Sequence, residues 1–136
     1  MKDHDGDLTV LTIDDQRSLR ELMRVLAAEH ERVGISLDAG DATTALEVSR
    51  ASRPDVILLD VNLGRTDGLS LIRPLREAVG GCTICVVSSS PHVDSTTALS
   101  AGADLFLEKG TDPDVVLERA LAATPLAPGE EMSTPA

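Results

Sequence analysis

The amino-acid sequence predicts an α/β protein: five strands alternate with five helices, and the strands form one parallel sheet with helices on both faces. Three observations lead there. Short apolar runs alternate with segments whose apolar residues recur every three or four positions. Two of the runs, Val56-Ile57-Leu58-Leu59 and Ile84-Cys85-Val86-Val87, are continuously apolar, as strands in the middle of a parallel sheet are when both faces are covered. The length, 136 residues, suits a single domain.

The elements follow in order. Residues 8–13 read as the first strand. Residues 17–30 follow as a helix, with Leu19, Leu22, Met23, Leu26 and Ala27 forming one apolar stripe. A weaker strand covers 36–39, and a helix over 42–51 is closed by Ser52-Arg53-Pro54. The third strand, 56–59, runs into Asp60, and 61–67 read as a loop. The helix over 68–79 carries Pro74 in its interior, which should shorten or kink it. The fourth strand ends in Ser88 and is followed by a helix over 93–100 and a turn at Ala101-Gly102-Ala103. The fifth strand, 105–107, ends near Lys109. Asp112-Pro113 pairs a capping aspartate with a proline at the first helical position, starting a helix that runs to about 123. Residues 1–7 are polar, and 124–136 carry Pro125, Pro128 and Pro135 without periodicity. Both ends read as flexible, leaving 8–123 as the domain.

Composition narrows the function. Lys plus Arg number 12 against 23 Asp plus Glu, a formal net charge of −11. Nucleic acids and anionic membranes are held through clustered Lys and Arg, so neither is an expected partner. Phe106 is the single aromatic residue and offers no platform for stacking bases. No apolar run approaches ~20 residues and no signal-peptide pattern opens the chain, so a cytoplasmic location is expected. Cys82 and Cys85 form a CxxC, but His4, His30 and His92 supply no matching metal-ligand spacing, and i,i+3 on a strand sends the two thiols to opposite faces. They read as ordinary packing residues of a reducing compartment.

Chemistry collects at the strand ends, where open parallel sheets place their sites. Strand one delivers Asp14 and Asp15, strand three Asp60, strand four Ser88 and strand five Lys109. Strand two ends on Asp38-Ala39-Gly40, which suits an edge. Crowded carboxylates repel unless a cation is shared, and an all-oxygen set favours a hard ion, Mg²⁺ ahead of Ca²⁺. Asp14-Asp15 also suits capping of the first helix. Lys109 adds a point charge and Ser88 a hydroxyl, so a carboxylate nucleophile, a metal and a lysine together meet the needs of phosphoryl transfer.

This ordered set resembles the receiver domain of two-component response regulators over roughly residues 8–123. Asp60-Val61-Asn62-Leu63 leading to Asp67-Gly68, Ala101-Gly102-Ala103, and Phe106 strengthen the likeness. The resemblance implies a flavodoxin-like strand order, 2-1-3-4-5, and a signalling protein rather than an enzyme. Asp60 would accept a phosphoryl group from a sensor histidine kinase or a histidine phosphotransfer protein. Asp15, Asp60 and the backbone carbonyl of Asn62 would ligate Mg²⁺ (or Mn²⁺), with Asp14 acting through water. Ser88 and Phe106 would switch on phosphorylation, and Lys109 would hold the phosphate. The chain would act as a stand-alone receiver on a downstream protein target. Docking, or pairing of two copies, would use the face of helix four, strand five and helix five, including Leu99, Leu105 and Val116. Gly110 stands where receivers usually carry proline, and Ser88 replaces the commoner threonine. A receiver-like docking module that is never phosphorylated is the alternative. A flavodoxin would need a hydroxyl- and amide-rich loop after strand one, and a haloacid-type phosphatase would need its paired aspartates separated by one residue.

Overall fold

The computed structural model describes residues 7–89 and 92–125; most of the two ends read as flexible lies outside them. The elements are β1 (Leu8–Ile13), α1 (Arg17–Ala28), β2 (Val33–Ala39), α2 (Ala42–Ser52), β3 (Val56–Asp60), β4 (Asn62–Leu63), β5 (Thr66–Asp67), a 3-10 turn (Gly68–Leu71), α3 (Ile72–Val79), β6 (Thr83–Ser88), α4 (Ser95–Ser100), β7 (Leu105–Glu108) and α5 (Pro113–Ala122). Five strands form one parallel sheet in the order β2-β1-β3-β6-β7, the expected doubly wound arrangement.

Strand parity divides the apolar residues between two cores. Leu11, Ile13, Ile57, Leu59, Ile84 and Val86 face α2, α3 and α4 through Ala45, Leu75 and Ala98. Val10, Val33, Val56, Leu58 and Cys85 face α1 and α5 through Met23, Ala27, Val116, Leu117 and Ala120. The continuous apolar runs of β3 and β6 therefore feed both layers at once. Each fully buried Leu or Ile stabilises the fold by about 1.5–3 kcal/mol. Cys85 lies in one core and Cys82 packs against the other, as their spacing requires. Burial pushes the Cys85 thiol up to about 12 and raises Cys82 as well, so both stay protonated at neutral pH.

Five local expectations need correction. β2 begins at Val33, because Leu8 pairs with Val33 and Thr9 with Ile35, leaving Gly34 as an extra residue that breaks the alternation. The segment after Asp60 is a small antiparallel hairpin, with Asn62 opposite Asp67 and Leu63 opposite Thr66. The helix read over 68–79 is shortened, as Pro74 implies: its first turn, Gly68–Leu71, is 3-10 and α3 begins at Ile72, which makes Pro74 the third residue of α3 rather than an interior one. Leu22 is 45 % exposed, since one residue is about 100° of rotation and α1 buries only Met23 and Ala27 fully. Val116 is 3 % exposed and belongs to the core. The buried stripe of α5 runs through Val116, Leu117, Ala120 and Leu121, so Val115 occupies the outer face instead; Leu99 of α4, which packs on the other face of the sheet, is exposed as well.

Candidate functional site

The chain leaves β1 for β2 on one side and returns to β3 on the other, so strand order reverses between β1 and β3. A crevice opens beyond their carboxyl ends at such a point. Ile13 is in register with Leu59, which brings Asp14, the next residue after β1, beside Asp60, the last of β3. One oxygen from each of Asp14, Asp15 and Asp60 lies within 4.8 Å of the others. Asp14 and Asp60 are buried and Asp15 is exposed. Asp14 Oδ1 also accepts the Gln16 N–H at 2.8 Å, so it shapes the entry to α1, although the cap position itself, Gln16, makes no side-chain capping bond.

Lys109, just beyond β7, reaches this cluster. Its Nζ stands 2.7 Å from Asp60 Oδ2 and 3.2 Å from Asp14 Oδ2. Its backbone N–H donates to the Ser88 carbonyl at 2.9 Å, which fixes the lysine to the end of β6 although glycine follows it. Ser88 is buried at that end, 2 % exposed. The other oxygen of Asp60, Oδ1, accepts the Asn62 N–H at 3.1 Å, and Gly64 N–H donates to Asp15 Oδ2 at 3.1 Å, so the hairpin closes over the acids. Phe106 lies half-buried against the α2–α4 core and lines a groove of about 460 Å³ with Ser88, Val93, Asp94, Glu108 and Lys109. His92 is exposed in the turn before α4.

The electrostatics follow from burial. Desolvation raises the Asp60 carboxyl above its ordinary value, and the charge of Asp14 adds to this, against the lowering effect of Lys109 and the Asn62 N–H. Desolvation pulls Lys109 down, but its hydrogen bond to Asp60 and the charge of Asp14 outweigh it and hold the ammonium above its usual range. The cluster thus carries one cation against three acids, with room in its donor set for another. The donors are carboxylate oxygens without a thiol or imidazole, which fits Mg²⁺.

Gly68 is placed here for a reason invisible in the sequence. A Cβ on it would stand 2.1 Å from the Asp60 carbonyl oxygen and 2.8 Å from Val61 Cα. Its N–H donates to the Val61 carbonyl at 2.6 Å. Only glycine lets the hairpin lie against the strand that ends in Asp60. Gly68→Ala should therefore cost about 3 kcal/mol of stability in urea denaturation and disturb the amide signals of residues 60–64.

A family model for the response regulator receiver domain matches residues 10–121. The chain belongs to the response regulator receiver family. A nitrate/nitrite response regulator homolog of Haemophilus influenzae is 34 % identical over 113 residues, covering 82 % of this chain and 54 % of that protein. The chain spans about half the length of that relative. Among solved structures, the signal receiver domain of the putative response regulator NarL from Mycobacterium tuberculosis has a TM-score of 0.74 at 26 % identity, covering 86 % of this chain and 95 % of its own. A Burkholderia pseudomallei response regulator with a phosphorylated aspartic acid, calcium ion and citrate has a TM-score of 0.71 at 29 % identity, covering 93 % and 72 %. The family is one of signalling domains that bind Mg²⁺ at an acidic pocket. Among the described residues, no helix of this receiver is long and apolar enough to cross a membrane.

Proposed function

We propose that this receiver accepts a phosphoryl group on Asp60, from a phosphohistidine of a sensor kinase or phosphotransfer protein, and passes its state to a downstream protein by docking. One observation carries the reading: the Asp60 carboxylate, 2 % exposed, is paired with Lys109 at 2.7 Å and lies beside Asp14 and Asp15. An isolated buried acid of this kind would be a liability, and three together call for a function.

Asp14, Asp15 and Asp60, with the carbonyl of Asn62, are the groups that would hold Mg²⁺, which when bound neutralises charge on the phosphoryl oxygens. The chain supplies the rest. An Asp60 oxygen forms the new P–O bond as the donor P–N bond breaks, and the departing imidazole nitrogen keeps the electron pair and takes up a proton. Lys109 turns from Asp60 to the phosphoryl group, Ser88 donates to a phosphoryl oxygen, and Phe106 moves within the adjoining groove. The receiver promotes only its own phosphorylation and dephosphorylation. Its acidic surface favours protein partners over nucleic acid or membrane in the cytoplasm.

Acetyl phosphate with Mg²⁺ should add one phosphoryl mass to the intact protein, and chelation should prevent it. An unchanged mass with Mg²⁺ present would point to a docking module that works without phosphate. Ser88→Ala should still be modified, about tenfold or more slowly, having lost a hydrogen bond to a charged group. In that variant the amide shifts of 105–108 should no longer respond to phosphorylation.

A further inference from the structure

Strand β2 ends at Ala39 and Gly40 follows it; Asp38, Ala39 and Gly40 take no part in the chemistry above, and Arg20 of α1 ties this edge to the acid cluster. The guanidinium Nη1 donates to the backbone carbonyl of Asp14 at 2.9 Å, and Nε donates to Asp38 Oδ2 at 3.0 Å. That carbonyl belongs to the peptide group joining Asp14 to Asp15. Because the peptide is planar, holding its oxygen orients the whole group and so restrains ψ of Asp14 and φ of Asp15, which set the directions of the two Cα–Cβ bonds. A Cβ on Gly40 would stand 2.7 Å from Arg20 Nη1 and 3.1 Å from Cζ. Gly40 is not among the residues with positive φ, so room for the guanidinium, rather than backbone conformation, is what the glycine provides. The Arg20 side chain is 19 % exposed, in a setting where a hydrogen bond is screened less than at the surface.

We infer that Arg20, seated by Asp38 and given space by Gly40, is a positioning residue for the divalent cation, holding the Asp14–Asp15 peptide in the geometry the ion requires. This rests on the reading that the acid cluster takes Mg²⁺. Three carboxylates that repel one another spread unless the backbone beneath them is held, and outer partners of this kind shape metal affinity. A planar fork serves a carbonyl and a carboxylate together, which an ammonium cannot do with the same geometry.

The test measures Mg²⁺ affinity by calorimetry, and amide exchange in the metal-free protein, for Arg20→Ala, Arg20→Lys, Gly40→Ala and the Arg20→Ala/Gly40→Ala double variant. Arg20→Ala should weaken Mg²⁺ about tenfold or more. It should also speed exchange of the Gln16 amide, which rests on Asp14, while amides of Leu59 and Val86 within the sheet keep their protection. Arg20→Lys should recover part of the affinity. Gly40→Ala should weaken binding alone and add nothing once Arg20 is gone. Wild-type affinity and unchanged Gln16 exchange in Arg20→Ala would overturn the inference, as would a full Gly40→Ala effect in its absence. Loss of protection throughout the sheet would overturn it too, making Arg20 a general structural residue. If the wild type itself takes up no Mg²⁺, the metal reading fails, and Gln16 exchange alone decides whether Arg20 holds the turn.

Discussion

Asp60→Asn should abolish phosphoryl uptake from acetyl phosphate, because the amide has no carboxylate oxygen to form the acyl phosphate. Intact-protein mass spectrometry reads the loss directly. The same variant has a second expected effect, opposite in sign to most active-site damage. Burial holds the Asp60 carboxyl above its ordinary value, so ionising it disfavours the metal-free fold. Its favourable contribution is complete below the unfolded value, near 3.8, and is lost as pH rises through the raised folded value. Metal-free Asp60→Asn should lack that decline and match or exceed the wild type in thermal stability at neutral pH. The amide keeps one oxygen for the Asn62 N–H, so the hairpin retains its support.

Lys109→Met is expected to lower stability and phosphoryl uptake together. The ammonium bridges Asp60 and Asp14, and its removal leaves two buried carboxylates facing each other. Breaking a buried pair in this way costs about 3 kcal/mol, read as a lower urea midpoint in the metal-free protein at neutral pH. The stabilisation from Lys109 is present below the unfolded lysine value of 10.5 and is lost as pH rises through its raised folded value, so the wild type weakens at the alkaline end. Adding Asp60→Asn to Lys109→Met should restore much of the loss, since the pair is coupled. Mg²⁺ should stabilise Lys109→Met more than the wild type. Phosphoryl uptake should fall by about a hundredfold, the scale of losing one charge-stabilising group.

The main outline of this site was legible because each of its groups sits next to a strand end, and strand ends can be found from apolar runs. Asp14, Asp60, Ser88 and Lys109 each follow or close such a run, so a parallel sheet brings them to one rim whatever their separation along the chain. What stayed hidden depends on contacts without local pattern. Two-residue strands have no periodicity, so the hairpin of Asn62–Leu63 and Thr66–Asp67 read as a loop. Arg20 looks like any polar helix residue until Asp38, eighteen positions away, and a backbone carbonyl come within reach of it. Gly68 carries a turn signal in the sequence, but its contact with the Asp60 carbonyl exists only in the folded chain. Leu22 and Val116 show the limit of an apolar stripe: it names the side of a helix that is buried, and one step of rotation decides which leucine or valine falls outside it.

The proposed function depends on acids at the ends of β1 and β3 meeting beside Lys109 to share a divalent ion. Paramagnetic broadening by substoichiometric Mn²⁺ in a ¹⁵N-labelled sample tests this most directly. The expected result is selective loss of the amide signals of Asp14, Asp15, Asp60, Asn62 and Lys109, with those of Leu8, Asp55 and Asp104 at the opposite end of the sheet left sharp. Broadening centred on Asp7, Asp55 and Asp104, or spread evenly over the acidic surface, would contradict it.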